Sequence, residues 1–257
     1  IAHLACVGRT DAQLRAVVGE FMDAGVRNFL ALRGDPPEGV ADWAPAPGEV
    51  ARACDLVTLI REVEADRFGA RGLDPLSRLA DHRSQRQAVS IAVAAYPGMA
   101  IEADDDGGAG ERETGAVSAA RGYRVREAGP LALRAKQDAG ADFAITQLFF
   151  DVSAYRELRA AAAAAGITLP LVPGILPLTD AGRIRRLCDL NGITHPSALL
   201  AALDGATDDE ERQRIGLAAT SSLIRDVLRA GAPGLHLYTF NKADGVTALL
   251  EDVLSQV

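Results

Sequence analysis

The stretch DAGADFAITQLFFD, residues 138–151, contains the pattern from which we predict the fold. A helical segment ends near Asp138, a small residue and Gly140 follow, and a run of apolar residues begins at once. Glycine directly after a helix takes the left-handed backbone conformation that other residues resist. A short continuous apolar run after such a cap is typical of a parallel strand buried on both faces. The stretch therefore predicts a helix, a glycine cap and a buried parallel strand.

The same pattern occurs at three further places, where Gly25, Gly166 and Gly231 each precede an apolar run. Repetition of helix, glycine and strand is the signature of βα units. The predicted strands are 2–7, 26–32, 88–95, 142–149, 168–175 and 234–240. The predicted helices are 10–24, 50–64, 129–139, 152–165, 179–190, 207–230 and 243–255, with Thr10 or Asp11 capping the first and Asp151 or Ser153 capping the fourth.

Six predicted strands suit either a doubly wound sheet or an incomplete parallel barrel. No GxGxxG follows any predicted strand, which argues against a dinucleotide-binding Rossmann domain. A (β/α)₈ barrel takes roughly 30 residues per unit, so two units before Ile1 would explain why the sequence starts directly in a strand. We predict an α/β fold, a TIM (β/α)₈-type parallel barrel lacking its first one or two βα units. Residues 1–257 form one domain in this prediction, with insertions near 65–87 and 101–128.

The composition limits the classes of partner. The net charge is −8 and no block of Lys and Arg stands out, so nucleic acid is not expected as a partner. The three cysteines are far apart and fit neither a disulfide framework nor a zinc spacing, which predicts reduced thiols, a cytoplasmic protein and no metal. No apolar run approaches the ~18 residues that span a membrane, so no membrane partner is expected either.

In a parallel barrel the active face lies at the carboxyl ends of the strands, where this sequence has unusual residues. They are Arg33, Gly34 and Asp35 after the second strand, Tyr96 after the third, Gln147 within the fourth and Lys242 after the last. We expect Gln147 to be buried, and a buried amide without partners costs roughly 1–3 kcal/mol. It either bonds neighbouring backbone or reads the amide edge of a ligand.

The other polar residues have structural alternatives as well. Arg33 and Asp35 form either a solvated turn with a local ion pair or part of a site. His3 and His236, each on an apolar strand, are predicted to be satisfied core histidines rather than catalysts.

The strand ends together resemble the motifs of one family, the methylenetetrahydrofolate reductases. The similar segments are HLAC (3–6), ALRGDPP (31–37), AAYP (94–97), DAGADFAITQLFFD (138–151), PGILP (173–177) and HLYTFNK (236–242). They occur in the family's order and cover nearly the whole chain. The resemblance implies a TIM barrel, in agreement with the repeated βα pattern.

The resemblance also implies FAD bound at the strand ends and NADH or NADPH as the reductant. The flavin-contact positions are His3, Arg33, Gly34, Asp35, Tyr96 and Lys136. Asp35 is expected beside the N1 and C2 carbonyl edge of the flavin. A carboxylate there disfavours negative charge on the reduced ring and tunes its hydride chemistry.

For the substrate, the resemblance implies that Gln147 bonds the folate pterin, or the nicotinamide in the other half-reaction. Asp35 and Gln147 are the implied catalytic positions within this chain. Arg183 and Leu187 stand where family members can offer Gln and Phe to the substrate. Lys242 stands where the family more often has Arg, on the folate glutamate side, and keeps the charge but loses the bidentate fork. The family's catalytic Glu lies on a strand expected before this sequence begins.

The implied activity is reduction of 5,10-methylenetetrahydrofolate to 5-methyltetrahydrofolate by a ping-pong mechanism, part of one-carbon metabolism and methionine biosynthesis. The partners are then folate and nicotinamide small molecules, and a homo-oligomer is left open. Two departures concern the flavin: PGMAIEA (97–103) replaces a PEGHPEA-like run that supplies a flavin-lining His, and Ala135 stands where an Arg is expected. Two alternatives therefore stay open, a flavin-independent folate reductase and a non-catalytic folate-binding barrel.

Overall fold

The computed structural model describes residues 1–34, 45–69, 88–97, 129–240, 246–247 and 249–251. The strands are β1 (Ala2–Ala5), β2 (Asn28–Leu32), β3 (Ser90–Ala95), β4 (Phe143–Thr146), β5 (Leu171–Val172), β6 (Gly174–Ile175) and β7 (His236–Leu237). The helices are α1 (Asp11–Asp23), α2 (Ala53–Phe68), α3 (Pro130–Asp138), α4 (Val152–Ala164), α5 (Ala181–Asn191), α6 (Ser197–Asp204) and α7 (Asp209–Arg229). Residues 246–247 and 249–251 are also helical, within the predicted helix 243–255.

The repeated glycines end helices as the sequence predicts. All four have positive φ, with values of 88° at Gly25, 100° at Gly140, 68° at Gly166 and 83° at Gly231. An L residue with a side chain is strained in this region, whereas glycine is not. The cap repeat is therefore confirmed, and it turns the chain from each of these helices into the segment that follows.

Two predicted N-caps are resolved between their alternatives. Thr10 caps α1 in a capping box, because its hydroxyl accepts from Gln13 N while its own N donates to Gln13 Oε1 at 2.9 Å. At the start of α4 the carboxylate of Asp151 accepts from Ser153 N at 2.7 Å, so Asp151 is the capping side chain. Hydrogen bonding by the Ser153 side chain, and then by the Ser153 backbone N, lowers the pKa of Asp151.

Strands β1 to β5 are hydrogen-bonded in chain order into one five-stranded sheet. The pairs β1–β2 and β2–β3 are parallel, with Ala2 opposite Phe29 and Asn28 opposite Ser90. A doubly wound sheet reverses its strand order at a switch point, whereas a barrel does not. The order without reversal favours the barrel over the doubly wound alternative and confirms the parallel α/β class.

The predicted strand 168–175 is divided in the structure. Pro173 separates β5 from β6 because it lacks the N–H that a ladder needs. Thr168 N and Leu169 N donate instead to Gln137 Oε1, at 2.7 and 3.2 Å. β6 then pairs in parallel with β7, with Gly174 opposite His236.

Other elements also differ from the prediction, and the predicted strand 234–240 is a strand only at His236–Leu237. Helix α2 continues to Phe68, so the residues from 65 to 68 are helical and not the start of a loop. Helix α6 was not predicted at all, since it has eight residues and its N-cap Pro196 supplies no capping side chain. The remainder of the two predicted insertions, 70–87 and 101–128, lies outside the described residues.

The chain forms two compact units. The first comprises the described parts of Ile1–Ala94, Ile101–Ala144 and Ala165–Leu169. Its core is apolar and includes Leu14, Met22, Phe29, Leu56, Ile60 and Ile91, each at most 1% exposed. Phe29 also meets Phe21 edge to face, with ring centroids 6.2 Å apart. This unit carries β1, β2 and β3 as far as Ala94.

Arg61 on α2 ties together the chain at the amino ends of β3 and β4. Its guanidinium donates to Gly140 O at 2.7 and 2.9 Å, to Val89 O at 2.9 Å, to Glu64 Oε2 at 2.7 Å and to Asp142 Oδ2 at 2.7 Å. The two carboxylates are held in turn by backbone, because Glu64 accepts from Val89 N and Asp142 from Ile91 N. The network lies at the strand ends opposite to the predicted site and is structural.

The second unit comprises the described parts of Ala95–Ala100, Ile145–Ala164 and Pro170–Val257. An apolar cluster packs α5 against α6 and contains Leu178, Ala181, Ile184, Cys188, Leu200 and Leu203. Among the described residues, no helix combines the length and apolarity needed to cross a membrane.

Candidate active site

In the first unit the carboxyl ends of β1 and β2 lie side by side, because their pairing continues beyond the strands. Cys6 N donates to Leu32 O at 3.1 Å and Val7 N donates to Arg33 O at 2.9 Å. The thiol of Cys6 also donates to Arg33 O at 3.4 Å. The backbone of Arg33 is thus fixed at this edge, and its side chain is half-buried.

Gly34 is required at the next position for two separate reasons. Its φ is +88°, in the left-handed region. A Cβ here would also lie 2.5 Å from Val7 Cγ1, closer than real Cβ atoms approach, and 3.1 Å from Ala5 Cβ, which is a tight contact. The backbone after β2 therefore packs directly onto the end of β1. Asp35, which comes next, lies outside the described residues, and its role stays a prediction.

The other two predicted flavin positions of this unit differ in exposure. His3 on β1 is exposed, so the expectation of a core histidine is wrong; the neighbouring Leu4, which is 5% exposed, takes the buried face. Lys136 on α3 is 2% exposed, and its ammonium donates to Ala94 O at 3.2 Å. A buried ammonium needs such hydrogen bonds because its desolvation is costly.

In the second unit Gln147 follows the end of β4. Its backbone N donates to Ala95 O at 2.7 Å, which holds it beside the end of β3. The side-chain Oε1 accepts from Leu148 N and Nε2 donates to Asn191 Oδ1, both at 2.9 Å. The side chain is half-buried rather than buried as expected. Backbone bonding, one of the two alternatives for this amide, is present, and a contact with a ligand stays a prediction.

Thr146, Gly174 and Tyr238 join β4, β6 and β7 next to Gln147. The phenol of Tyr238 donates to Thr146 O at 3.0 Å, and Gly174 N donates to Thr146 Oγ1 at 2.9 Å. A Cβ on Gly174 would lie 2.3 Å from Thr146 O and 2.9 Å from the Tyr238 hydroxyl. Glycine is therefore necessary for these three strand ends to approach one another.

Burial keeps Tyr238 neutral. Loss of hydration, followed by the influence of Tyr96, raises the pKa of Tyr238 to about 12. His236 meets the Tyr238 ring edge to face, with centroids 4.9 Å apart, and is half-buried, so it is less enclosed than the expected core histidine. Tyr96 itself is half-buried. The phenol of Tyr238 is thus a structural donor and not an acid or base near neutral pH.

Arg183 on α5 lies against an aromatic ring after β7. Its guanidinium carbon is 5.3 Å from the centroid of Phe240, and one guanidinium nitrogen is 3.6 Å from Asp180. Phe240 is 52% exposed and has φ of 48°, which is rare for a bulky side chain. The guanidinium of Arg183 therefore lies beside an exposed ring whose residue has a strained backbone. Lys242, two residues further, lies outside the described residues and stays a prediction.

Asn191 and Phe240 were not identified from the sequence. Asn191 precedes Gly192, and Asn-Gly after a helix indicates a helix end or a turn rather than a site. Gly192 does end α5 in the left-handed conformation, with φ of 63°. Phe240 belongs to the segment HLYTFNK, but an aromatic residue at a strand end gives no sign of positive φ.

The described residues of the second unit thus offer the half-buried carboxamide of Gln147, aromatic rings and the guanidinium of Arg183 near strand ends. A carboxamide has both donors and acceptors and suits the amide edge of a ligand. Within the described part of the chain, no group of three or more His, Cys, Asp or Glu side chains is placed to hold a metal ion.

Comparison with protein families gives one match over nearly the whole chain. The model described as "Methylenetetrahydrofolate reductase" matches residues 1–253. The 5,10-methylenetetrahydrofolate reductase of Escherichia coli (strain K12) is 31% identical over 244 residues, which is 94% of this chain and 66% of that protein. The chain therefore spans slightly less than two thirds of the length of this relative.

Two further comparisons agree. "Methylenetetrahydrofolate reductase (NADH) 1" of Zea mays is 32% identical over 249 residues, covering 96% of this chain and 37% of that protein. A solved structure of an uncharacterized protein from Clostridium thermocellum, which binds two copies of 5-methyl-5,6,7,8-tetrahydrofolic acid, has a TM-score of 0.50 at 14% identity. It covers 100% of this chain and 73% of that one, and at this identity the likeness concerns the fold.

Proposed function

Because the chain belongs to the methylenetetrahydrofolate reductase family, we propose that it reduces 5,10-methylenetetrahydrofolate to 5-methyltetrahydrofolate with a reduced nicotinamide nucleotide. The family match over residues 1–253 supports the reaction class. The observation that carries the proposal to a site is the carboxamide of Gln147, half-buried directly after β4. NADH is the favoured reductant, since plant relatives are named as NADH forms.

The pterin of the folate is the part of the substrate that Gln147 suits. A pterin edge carries adjacent donors and acceptors, and the carboxamide of Gln147 can offer one of each. The bonds of Gln147 to Leu148 and Asn191 use one lone pair and one N–H, which leaves one of each for a ligand. A folate-binding role is also consistent with the solved protein of the same fold, which binds 5-methyl-5,6,7,8-tetrahydrofolic acid.

Arg183 and Phe240 suit the anionic, aromatic remainder of a folate. The guanidinium of Arg183 is partly exposed, with 29% of the side chain accessible, and can pair with a carboxylate. Phe240 offers a ring for stacking, at 52% exposure. We assign Lys242 a role on the same anionic part, as the resemblance implies.

A flavin, when bound, supplies the carrier that takes a hydride from the nicotinamide and passes it to the folate. The described residues of the first unit fit this group in part. His3 is exposed, and Gly34 has no side chain of its own, although the space that a Cβ would need is already occupied by Val7 Cγ1. Lys136 fits less well, because the residue is 2% exposed and its ammonium donates to Ala94 O. We therefore propose FAD at His3, Arg33, Gly34, Asp35 and Tyr96, with a contact from Lys136 only if its side chain rotates.

The reaction is tested with the purified protein and NADH, by measuring formation of 5-methyltetrahydrofolate with and without added FAD. The visible absorption of the protein shows whether flavin is retained. Activity that needs FAD supports the proposal in full. Activity in a colourless protein without added FAD would replace it by the flavin-independent reductase. Binding of 5-methyltetrahydrofolate without turnover in either condition would indicate a folate-binding barrel.

Gln147→Ala should weaken binding of 5-methyltetrahydrofolate about 5- to 150-fold, since an unpaired ligand group costs on the order of 1–3 kcal/mol. Gln137→Ala is the matched control, because the Gln137 amide oxygen accepts from the backbone N of Thr168 and Leu169. The control should lower thermal stability and leave the dissociation constant of the folate unchanged. Unchanged folate binding in Gln147→Ala would show that the amide is structural.

A further inference from the structure

Three hydrogen bonds form a chain from Leu148 N through the amides of Gln147 and Asn191 to a backbone carbonyl of helix α5. Leu148 N donates to Gln147 Oε1 at 2.9 Å, and Gln147 Nε2 donates to Asn191 Oδ1 at 2.9 Å. Asn191 Nδ2 then donates to Leu187 O at 2.8 Å. Two side-chain amides thus lie in series between a backbone donor and a backbone acceptor.

The two backbone ends fix the orientation of both amides. The oxygen and nitrogen of a carboxamide are interchangeable by a flip, and only their hydrogen bonds distinguish them. An N–H at Leu148 must face an oxygen, and the carbonyl at Leu187 must face an NH₂ group. Because Asn191 turns its NH₂ group to Leu187 O, its Oδ1 faces Gln147 and needs a donor there, which is Gln147 Nε2. The bond from Leu148 N to Gln147 Oε1 requires the same orientation of the Gln147 amide. Reversing either amide would place two donors or two acceptors in contact.

From this arrangement we infer that Asn191 is a positioning residue, which holds the Gln147 carboxamide in one orientation toward the ligand. The inference rests on the proposed function, in which Gln147 contacts the folate. Gln147 is half-buried, and once its orientation is fixed, one N–H and one lone pair of the carboxamide remain for a ligand. A ligand then meets an acceptor and a donor in a fixed order, without the cost of ordering a flexible side chain.

Asn191→Ala should remove the hydrogen bond that Gln147 Nε2 makes to Asn191 Oδ1, so that the Gln147 amide can rotate. Fixing one flexible side chain at an interface corresponds to about a 2- to 12-fold change in affinity, and we expect the dissociation constant of 5-methyltetrahydrofolate to rise by that factor. Asn191→Asp keeps the size and the acceptor but removes the donor to Leu187, and it adds a negative charge at a helix C-terminus. It should also weaken folate binding and serves as the second variant if Asn191→Ala does not fold.

The decisive experiment is a double-mutant cycle on folate binding with Gln147→Ala and Asn191→Ala. A residue that acts through Gln147 has no further effect once Gln147 is removed, so the two losses should not add. Asp189→Ala is the matched control on α5, since Asp189 is 71% exposed and pairs with His195 instead of Gln147. Its dissociation constant should equal that of the wild type. Additive losses, or an Asn191→Ala variant with wild-type affinity, would overturn the inference.

A second readout does not depend on ligand binding. In the wild type, the side-chain NH₂ signals of Gln147 in a ¹⁵N-correlated NMR spectrum should show one proton slowed in exchange by the bond to Asn191. Asn191→Ala should remove that protection, and Asp189→Ala should not. If the wild type fails to bind 5-methyltetrahydrofolate, the proposed function fails, while this spectrum still decides the role of Asn191. Unchanged Gln147 signals in Asn191→Ala would overturn it.

Discussion

Removing Arg61 should destabilise the first unit more than any surface ion pair on the same helix. The guanidinium makes five hydrogen bonds and 17% of the side chain is exposed. Arg61→Ala leaves the carboxylate of Glu64, with 4% of its side chain exposed, without this cationic partner. It also removes donors from the carbonyls of Gly140 and Val89.

The magnitude follows from burial. Breaking a buried ion pair by removing one partner costs about 3–5 kcal/mol, because the remaining charge is left uncompensated. We therefore expect Arg61→Ala to lower the free energy of unfolding by about 3–5 kcal/mol. In urea, with a slope near the upper end of the usual range of about 1–3 kcal/mol per molar, the midpoint should fall by about 1–2 M.

The assay is urea denaturation followed by circular dichroism, with Arg67→Ala as the matched control. Arg67 lies on the same helix and pairs with Asp23 at 3.0 Å, but the two side chains are 34% and 67% exposed. Water and salt screen such a pair, so its removal should shift the midpoint far less. Equal shifts for the two variants would refute the view that Arg61 is a buried structural centre.

Two more predictions concern the strand ends. The pKa of Tyr238 in the fold, about 12, lies above the ordinary value of 10.0, so its stabilising contribution is complete below pH 10 and is lost as pH rises toward 12. Tyr238→Phe should remove this alkaline loss, on the order of 3 kcal/mol across that interval, and an identical alkaline unfolding curve for the variant would contradict it. Gly34→Ala should lower the thermal midpoint, because it combines φ of +88° with a Cβ 2.5 Å from Val7 Cγ1. The overpacking alone is expected to cost about 1–3 kcal/mol, and a melting temperature equal to that of the wild type would show that the β1–β2 edge can relax.

Features that depend on local backbone physics could be predicted from the sequence. Gly25 and Gly140 end helices because no other residue takes their φ without strain, and this preference is visible in the sequence. The capping box of Thr10 and Gln13 is another local signal. Such signals, repeated along the chain, were sufficient to predict βα units and the parallel α/β fold.

Features that depend on tertiary packing could not be predicted in this way. The exposure of His3 is set by which face of β1 is covered, and the apolar composition of the strand concealed it. Gln147 was identified from its polarity, but its partner Asn191 lies 44 residues away and resembled a turn residue in the sequence. Lys136 was assigned from a family motif, yet its burial against Ala94 depends on how α3 packs.

The most direct test of the account is a crystal structure of this protein with bound 5-methyltetrahydrofolate. We expect the amide edge of the pterin to lie within hydrogen-bonding distance of the Gln147 carboxamide, roughly 2.7–3.2 Å. The bond from Gln147 Nε2 to Asn191 Oδ1 should be present in the complex as it is without the ligand, at 2.9 Å. A folate bound away from the end of β4, or a Gln147 side chain turned from the pterin, would contradict the proposed site.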